Sequence, residues 1–468
     1  MLNPQKIARV PLFFSFCALF MFLTGFLVKG YSQTRPIISV HSPYPTIPQI
    51  ETPHPVGVNV DAVRRGALNQ GVQYQGQIIA TERDVSTNEH RLSSRVQVAI
   101  YMAEFNNEVK NTRGIYRDTN NIAKPYWMAL RELETMSSTS TFSISRAVYL
   151  VENAFFNNRL PADKFQQLLN NKLTLCHYIM QKEKLDTSSE LSRHYALQKL
   201  FSDTITYYNP ITRAKQQYTP LGYDFDDYMG KEHWENMFVT KLLLTGKGQC
   251  HSMPLLYLML AEQLGIKATL AQAPEHSFIV FYNKDGKRYN FETTSGNLVS
   301  YNWLMQSGFI NASAIKKGTY LDTLSQKKLI AYLIMDLTQG YLRQYEDDGF
   351  VYRCLQDVKA LHSDNLEALM MEANNLTIRT RQAIRAVGNP PPNKLPEYRE
   401  AYSLFQQRNA LYQLIDDLGY QAMPPEAYQA WRKSVEQEKQ RRENKDLKAQ
   451  IRQQIGRVSN IKTTIIHK

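Results

Sequence analysis

From residue 96 onward, apolar positions recur every three or four residues, the interval that lines one face of a helix. This spacing predicts helices over 96–108, 125–136 and 144–157, the last capped by Ser143, and over 162–183 behind Pro161. A further helix is expected over 188–202. Between Tyr207 and Gly230 the period fails: Pro210, Pro220 and Gly222 stand among aromatics, so an irregular segment is expected there. Helical spacing resumes over 234–244.

The centre of the chain changes rhythm. Gly246-Lys247-Gly248 reads as a flexible loop, and Cys250 follows at the mouth of a helix expected over 251–264. Pro254 is tolerated in that helix's first turn, and Gly265 stops it. Leu255, Leu256, Leu258, Met259, Leu260 and Leu264 leave little polar surface, which predicts a buried helix. The period then drops to two. Strands are expected over 268–273, 276–282 and 287–294, the last two forming a hairpin about Asn283-Lys284-Asp285-Gly286. Beyond residue 323 the helical period returns over 328–345, 350–361, 366–384, 398–418 and 425–454, with a Pro-rich break at 388–396. The expected class is α+β: a helix-rich core with a small antiparallel sheet, followed by an all-α region.

Residues 1–95 differ in kind. Lys6 and Arg9 precede an almost wholly apolar run over 10–28, and Gly30 and Ser32 supply small residues before a cut at 32. This is the order of a secretory signal. The run is also just long enough for an uncleaved anchor, although the small-residue pattern favours cleavage and export to the periplasm or medium. Residues 33–95, rich in Pro, Ser and Thr at first and then polar without period, read as an extended linker. The remaining divisions are 96–325 around the central helix, 326–430 as a helical region, and 431–468 as a basic helix and tail.

Composition adds three constraints. With 43% apolar residues, a chain of 468 can bury a core. The net charge of +12 raises the question of nucleic acid, but residues 431–468 alone hold eleven Lys/Arg against four Asp/Glu, and no recognition motif accompanies them. A solvated basic end is the simpler reading, and no nucleic-acid partner is expected. Without the leader and its Cys17, three cysteines remain: Cys176, Cys250 and Cys354. An odd number outside the cytosol leaves one thiol free or paired between chains. Cys176 and Cys354 fall at apolar helical positions and read as core.

Cys250 has the surroundings of a nucleophile. The helix behind it directs its positive end toward the sulfur, and the glycines before it let a substrate backbone approach. His276, opening a strand, can take the thiol proton and return it to a leaving group. A third group must orient the ring. Glu292 on the next strand lies within one position of the residue facing His276, which the turn centre makes Thr293; Asn290 competes for the role. An oxyanion donor is open among Trp234, Asn236 and the Cys250 backbone N–H. Each residue alone has a structural reading: a core cysteine, a satisfied histidine, a solvated strand glutamate. His251 points away from Cys250 and reads as structural. A zinc site built from Cys250, His251 and His276 lacks ligand spacing and a fourth donor; no metal or cofactor is expected.

These stretches resemble the transglutaminase-like superfamily, whose members share a papain-like core. The resemblance is carried by Gly246-Lys247-Gly248-Gln249-Cys250-His251-Ser252, Leu255-Leu256-Tyr257-Leu258-Met259-Leu260-Ala261 and Leu264-Gly265-Ile266-Lys267-Ala268, then by Glu275-His276-Ser277-Phe278 and Tyr289-Asn290-Phe291-Glu292-Thr293-Thr294. It covers residues 234–297. It implies Cys250 as nucleophile, His276 as base and Glu292 as the orienting acid, where the family commonly has Asp. The implied activity is thiol-dependent acyl transfer on a peptide or carboxamide, as protease, deamidase or transglutaminase. The alternative is an inactive scaffold that binds a partner protein through its helices. Residues 355–369 also resemble the helix-turn-helix rhythm of tetratricopeptide-type repeats, without the usual turn proline; generic helical packing accounts for them equally.

Overall fold

The computed structural model describes residues 123–420 except 140–141, 210–212, 309 and 346–348, together with 437 and 439–441. The expected signal, linker, first helix (96–108) and last helix (425–454) lie outside the described residues. Those described are about 60% helical with small antiparallel sheets, an α+β architecture.

Four helices come first: α1 (Lys124–Ser138), α2 (Ile144–Phe155), α3 (Ala162–Lys182) and α4 (Glu190–Ser202). Two of their starts, at Ser143 and Pro161, follow the local chemistry read from the sequence. Ser143 Oγ accepts the Arg146 N–H, Pro161 precedes α3, and Ser189 Oγ accepts the Ser192 N–H. The segment expected to be irregular instead holds a hairpin, β1 (Ile205–Tyr208) with β2 (Lys215–Tyr218), and then the short β3 (Gly222–Tyr223). β2 is polar at nearly every position and largely exposed, so no alternation marks it. A 3-10 turn (Trp234–Met237) leads into α5 (Val239–Thr245), and β4 (Lys247–Gly248) pairs in parallel with β3.

The helix after Cys250, α6 (Ser252–Gln263), is the hub. Every residue from Ser252 to Ala261 is buried, because the helix is surrounded by α2 to α5 on one side and by β5 (Thr269–Ala273) and β6 (His276–Tyr282) on the other. Its apolar sequence suits that environment all round. Polar groups near its C-terminal end are spent on neighbours. Glu262 accepts the N–H groups of Ile144 (2.8 Å) and Ser145 (3.1 Å) at the start of α2. Arg193 from α4 donates to the Leu264 carbonyl at 2.8 Å, beside Gly265 in the left-handed conformation at φ 63°.

The main sheet runs β5-β6-β7-β8, all antiparallel, with β7 at Arg288–Glu292 and β8 at Asn297–Val299. One face lies on α6. The other is sealed by an apolar cluster joining Ala271, Phe278 and Val280 to Leu304, Ile310 and Ala314. Leu304 and Ala314 belong to α7 (Tyr301–Ser307) and α8 (Ala312–Lys317), helices too short to show a period in the sequence. The helical region follows as α9 (Gln326–Leu342), α10 (Gly349–Leu361), α11 (Leu366–Ala386) and α12 (Arg399–Asp417). Buried on every side from Leu329 to Tyr341, α9 packs against α1, α2 and α10. Among the described residues no helix is long and apolar enough to cross a membrane.

Candidate active site

Local backbone chemistry sets the position of Cys250. Gly246 ends α5 at φ 69°, and Lys247-Gly248 then pairs with Gly222-Tyr223. The expected flexible loop is therefore a bridged segment in which Gly248 is buried and Lys247 exposed. A Cβ on Gly248 would stand 2.8 Å from Ser252 Oγ and 3.0 Å from Leu242 Cδ1, so this glycine serves close packing rather than access for a substrate backbone. Ser252 Oγ accepts the Gln249 N–H at 3.0 Å, and the Met253 N–H donates to the Gln249 carbonyl at 3.0 Å. Half-buried Cys250 sits just before the N-cap residue His251, where the unpaired N–H groups of α6 converge.

β6 and β7 deliver the other two groups. Their pairs run from Ile279–Phe291 to Tyr282–Arg288. Carried back along the ladder, this register sets His276 opposite Thr294, one residue from the expected Thr293. The shift matters because side chains alternate faces. Glu292, two positions from Thr294, falls on the same face as His276, and its Oε2 meets His276 Nε2. Its other oxygen, Oε1, accepts the Thr294 N–H (3.1 Å) and the Thr294 hydroxyl (2.8 Å), which fixes the carboxylate's plane. Asn290 shares that face but is committed elsewhere: its Oδ1 accepts from Arg288 Nε at 2.9 Å, and its Nδ2 donates to the Val299 carbonyl at 3.3 Å. Between the two candidates, it is Glu292 that touches the ring.

Cys250 lines the same cleft as this imidazole and acts on it electrostatically. With Nε2 held by Glu292, Nδ1 is the nitrogen left for the sulfur. Cys250 Sγ also lies 3.7 Å from the carbonyl oxygen of Glu275. Electrostatics follow from this packing. Burial opposes a charged His276, but the Glu292 carboxylate and the Cys250 thiol outweigh it and raise the ring well above its ordinary 6.5. Burial likewise opposes a charged Glu292, yet His276 and the Thr294 hydrogen bonds hold it below its ordinary 4.5. Glu292 is 1% exposed and His276 26%, so the pair has one closed end and one open end. The other two described thiols are different. Cys176 and Cys354 are fully buried, and burial pushes both up to about 12.

Cys250 and His276 open into a cleft of about 140 Å³ walled by Tyr228, Met237, Tyr320 and Tyr332 among others. Trp234 and Asn236 are not in this wall. Asn236 donates to Asp227 Oδ2 at 3.1 Å, and the Trp234 ring lies 5.0 Å from the Arg343 guanidinium. Of the expected oxyanion donors, the Cys250 backbone N–H is the one that stands at the site. His251, read as structural, lines the cleft and bonds Tyr332 and Asp336. Tyr332 had no signal in the sequence: it comes from α9, about eighty residues beyond Cys250, at a position whose apolar spacing marks only a buried helix face. Among the described residues no group of His, Cys, Asp and Glu has the arrangement of a metal site.

Comparison with protein-family models, curated proteins and solved structures returned no match.

Proposed function

We propose that this chain is an exported cysteine-dependent acyl-transfer enzyme with a transglutaminase-like, papain-like core, acting on a peptide or carboxamide. The observation that carries the reading is that Cys250 and His276 line one cleft while the buried Glu292 hydrogen-bonds the His276 ring. Three groups of these types are what nucleophilic catalysis requires.

In the first half-reaction the proton of Cys250 passes to His276 Nδ1, and the thiolate adds to the carbonyl carbon, forming a C–S bond while the C=O π pair moves to oxygen. The Cys250 N–H at the α6 N-terminus stabilises that oxygen. Collapse breaks the C–N bond, and His276 returns the proton to the departing amine, leaving a thioester. Water or a second amine then adds, His276 takes its proton, and the sulfur leaves and is reprotonated. The product is a carboxylic acid in one case and a new amide in the other. Glu292 stabilises the imidazolium in both halves without itself taking a proton. The N-terminal charged-apolar-small pattern supports export.

A peptide aldehyde tests the assignment, since its carbonyl forms a reversible hemithioacetal with an activated thiol. Mass spectrometry and competition should locate the adduct on Cys250 and find it lost in His276→Ala. Absence of an adduct, or one that survives His276→Ala, would leave the scaffold reading, in which the helices hold a partner.

A further inference from the structure

The helix α9 reaches the cleft through Tyr332, whose hydroxyl is held by the residue that follows Cys250. Tyr332 Oη lies 2.5 Å from His251 Nδ1, and the two rings stack with centroids 5.5 Å apart at 28°. His251 Nε2 in turn lies 3.3 Å from Asp336 Oδ2, one turn along α9 from Tyr332. All three side chains are buried: Tyr332 is 4% exposed, Asp336 6% and His251 9%. The hydroxyl is therefore set by packing before any substrate arrives, the condition under which a donor best stabilises a developing charge.

Donor and acceptor counting gives its direction. The Asp336 carboxylate accepts from His251 Nε2–H. Burial opposes a charged ring, but Asp336 and Glu152 outweigh it and raise His251 above its ordinary 6.5, so at pH 6 Nδ1 carries a proton as well. Nδ1–H then donates to Tyr332 Oη, and the hydroxyl keeps its own hydrogen for another acceptor. Burial holds Tyr332 well above its ordinary 10, so that hydrogen stays in place. Two other hydroxyls of the cleft are spent: Ser277 donates to the Cys250 carbonyl at 2.6 Å and Thr319 to the Leu418 carbonyl at 2.7 Å.

We propose that the Tyr332 hydroxyl is a second oxyanion donor, joining the Cys250 N–H on the oxygen of the tetrahedral intermediate. Tyr332 is then a catalytic residue supplied by the helical region. His251 and Asp336 are its positioning residues: they occupy a lone pair of the hydroxyl and so leave its hydrogen for the substrate oxygen. This inference rests on Cys250 being the nucleophile of an acyl transfer.

The test sets two Cys250 reagents against each other in the whole protein. A peptide aldehyde gives a tetrahedral adduct: the C–S bond forms, the C=O π pair moves to oxygen, and the thiol proton ends on that oxygen. Iodoacetamide alkylates the same sulfur by displacing iodide and forms no such oxygen. Tyr332→Phe, which keeps the ring and deletes the hydroxyl, should weaken the aldehyde adduct about 100-fold at pH 6, the scale of one lost oxyanion donor. Its alkylation rate at pH 9, where an ordinary thiol is largely thiolate, should stay within about twofold of wild type. Asp336→Asn removes the carboxylate that keeps His251 charged, frees Nδ1 to accept from Tyr332, and should weaken the adduct in the same way. Tyr320→Phe, from the same cleft, should leave the adduct unchanged. An aldehyde affinity unchanged in Tyr332→Phe overturns the proposal while leaving Cys250 as nucleophile; should that variant not fold, an unchanged Asp336→Asn affinity does so. Parallel losses of adduct and alkylation, or a loss that follows Tyr320→Phe instead, also overturn it. No adduct in wild type overturns this inference and the proposed function together.

Discussion

Replacing Glu292 by Gln removes one charge from a carboxylate that is 1% exposed while keeping its volume and an oxygen for His276 Nε2–H. The imidazolium then trades a charge-assisted hydrogen bond for a neutral one, a loss of about 2 kcal/mol. Since each 1.36 kcal/mol is tenfold, the thiolate–imidazolium pair should fall about 30-fold relative to thiol and neutral imidazole. The amide nitrogen then faces the Thr294 N–H, donor against donor, so that contact is lost, while the Thr294 hydroxyl can turn to accept. The assay is the rate of Cys250 carboxamidomethylation from pH 4 to 10, followed by intact mass. Cys176 and Cys354 do not compete, being fully buried with thiols pushed up to about 12. Glu292→Gln should lose about 30-fold near pH 6 and rejoin wild type at alkaline pH, where the thiolate forms without help. Superimposable profiles would refute the reasoning, since Glu292 would then have no hold on the charge of His276.

Other outcomes follow from the same packing. The His276–Glu292 pair should stabilise the fold most between pH 4.5 and 6.5. Below 4.5 its contribution fades as Glu292, held under that value, gains a proton, and above 6.5 it fades as the raised His276 titrates. Denaturation of wild type and Glu292→Gln across pH should show a gap of about 2 kcal/mol in that window, narrowing on both sides. Burial lowers His194 to about 4; it is 1% exposed, stacks on Phe281 and bonds the Tyr257 hydroxyl. The unfolded chain therefore binds a proton that the fold refuses, and stability should fall by about 3 kcal/mol as pH drops from 6.5 to 4. A flat urea midpoint over that range, or one indifferent to His194→Gln, would contradict this. Gly248→Ala should cost about 1–3 kcal/mol in urea denaturation, because its Cβ would stand within 3.2 Å of Ser252 Oγ and two atoms of Leu242. A neutral result would mean that the β3–β4 bridge yields.

Much of the framework is legible in residue order because it depends on neighbours. Apolar spacing marks α2, α3, α6, α9 and α11 to within a few residues, and cap chemistry at Ser143, Pro161 and Gly265 marks their ends. The turn at Asn283, whose side chain accepts the N–H groups of Asp285 and Lys287, delimits β6 and β7. A thiol before a buried helix, an imidazole at a strand start and a carboxylate on the next strand could all be named from the sequence. Three things required the folded chain. Which group meets His276 turned on tertiary contacts, since Glu292 and Asn290 share a face and Asn290 is held by Arg288 and the Val299 carbonyl. What the glycines before Cys250 do turned on Ser252 and Leu242 packing against Gly248. That α9 brings Tyr332 and Asp336 to His251, beside Cys250, depends on its packing against α1 and α2, a long-range contact that no local period encodes. Periodicity reports which face of an element is buried; only packing decides what it is buried against.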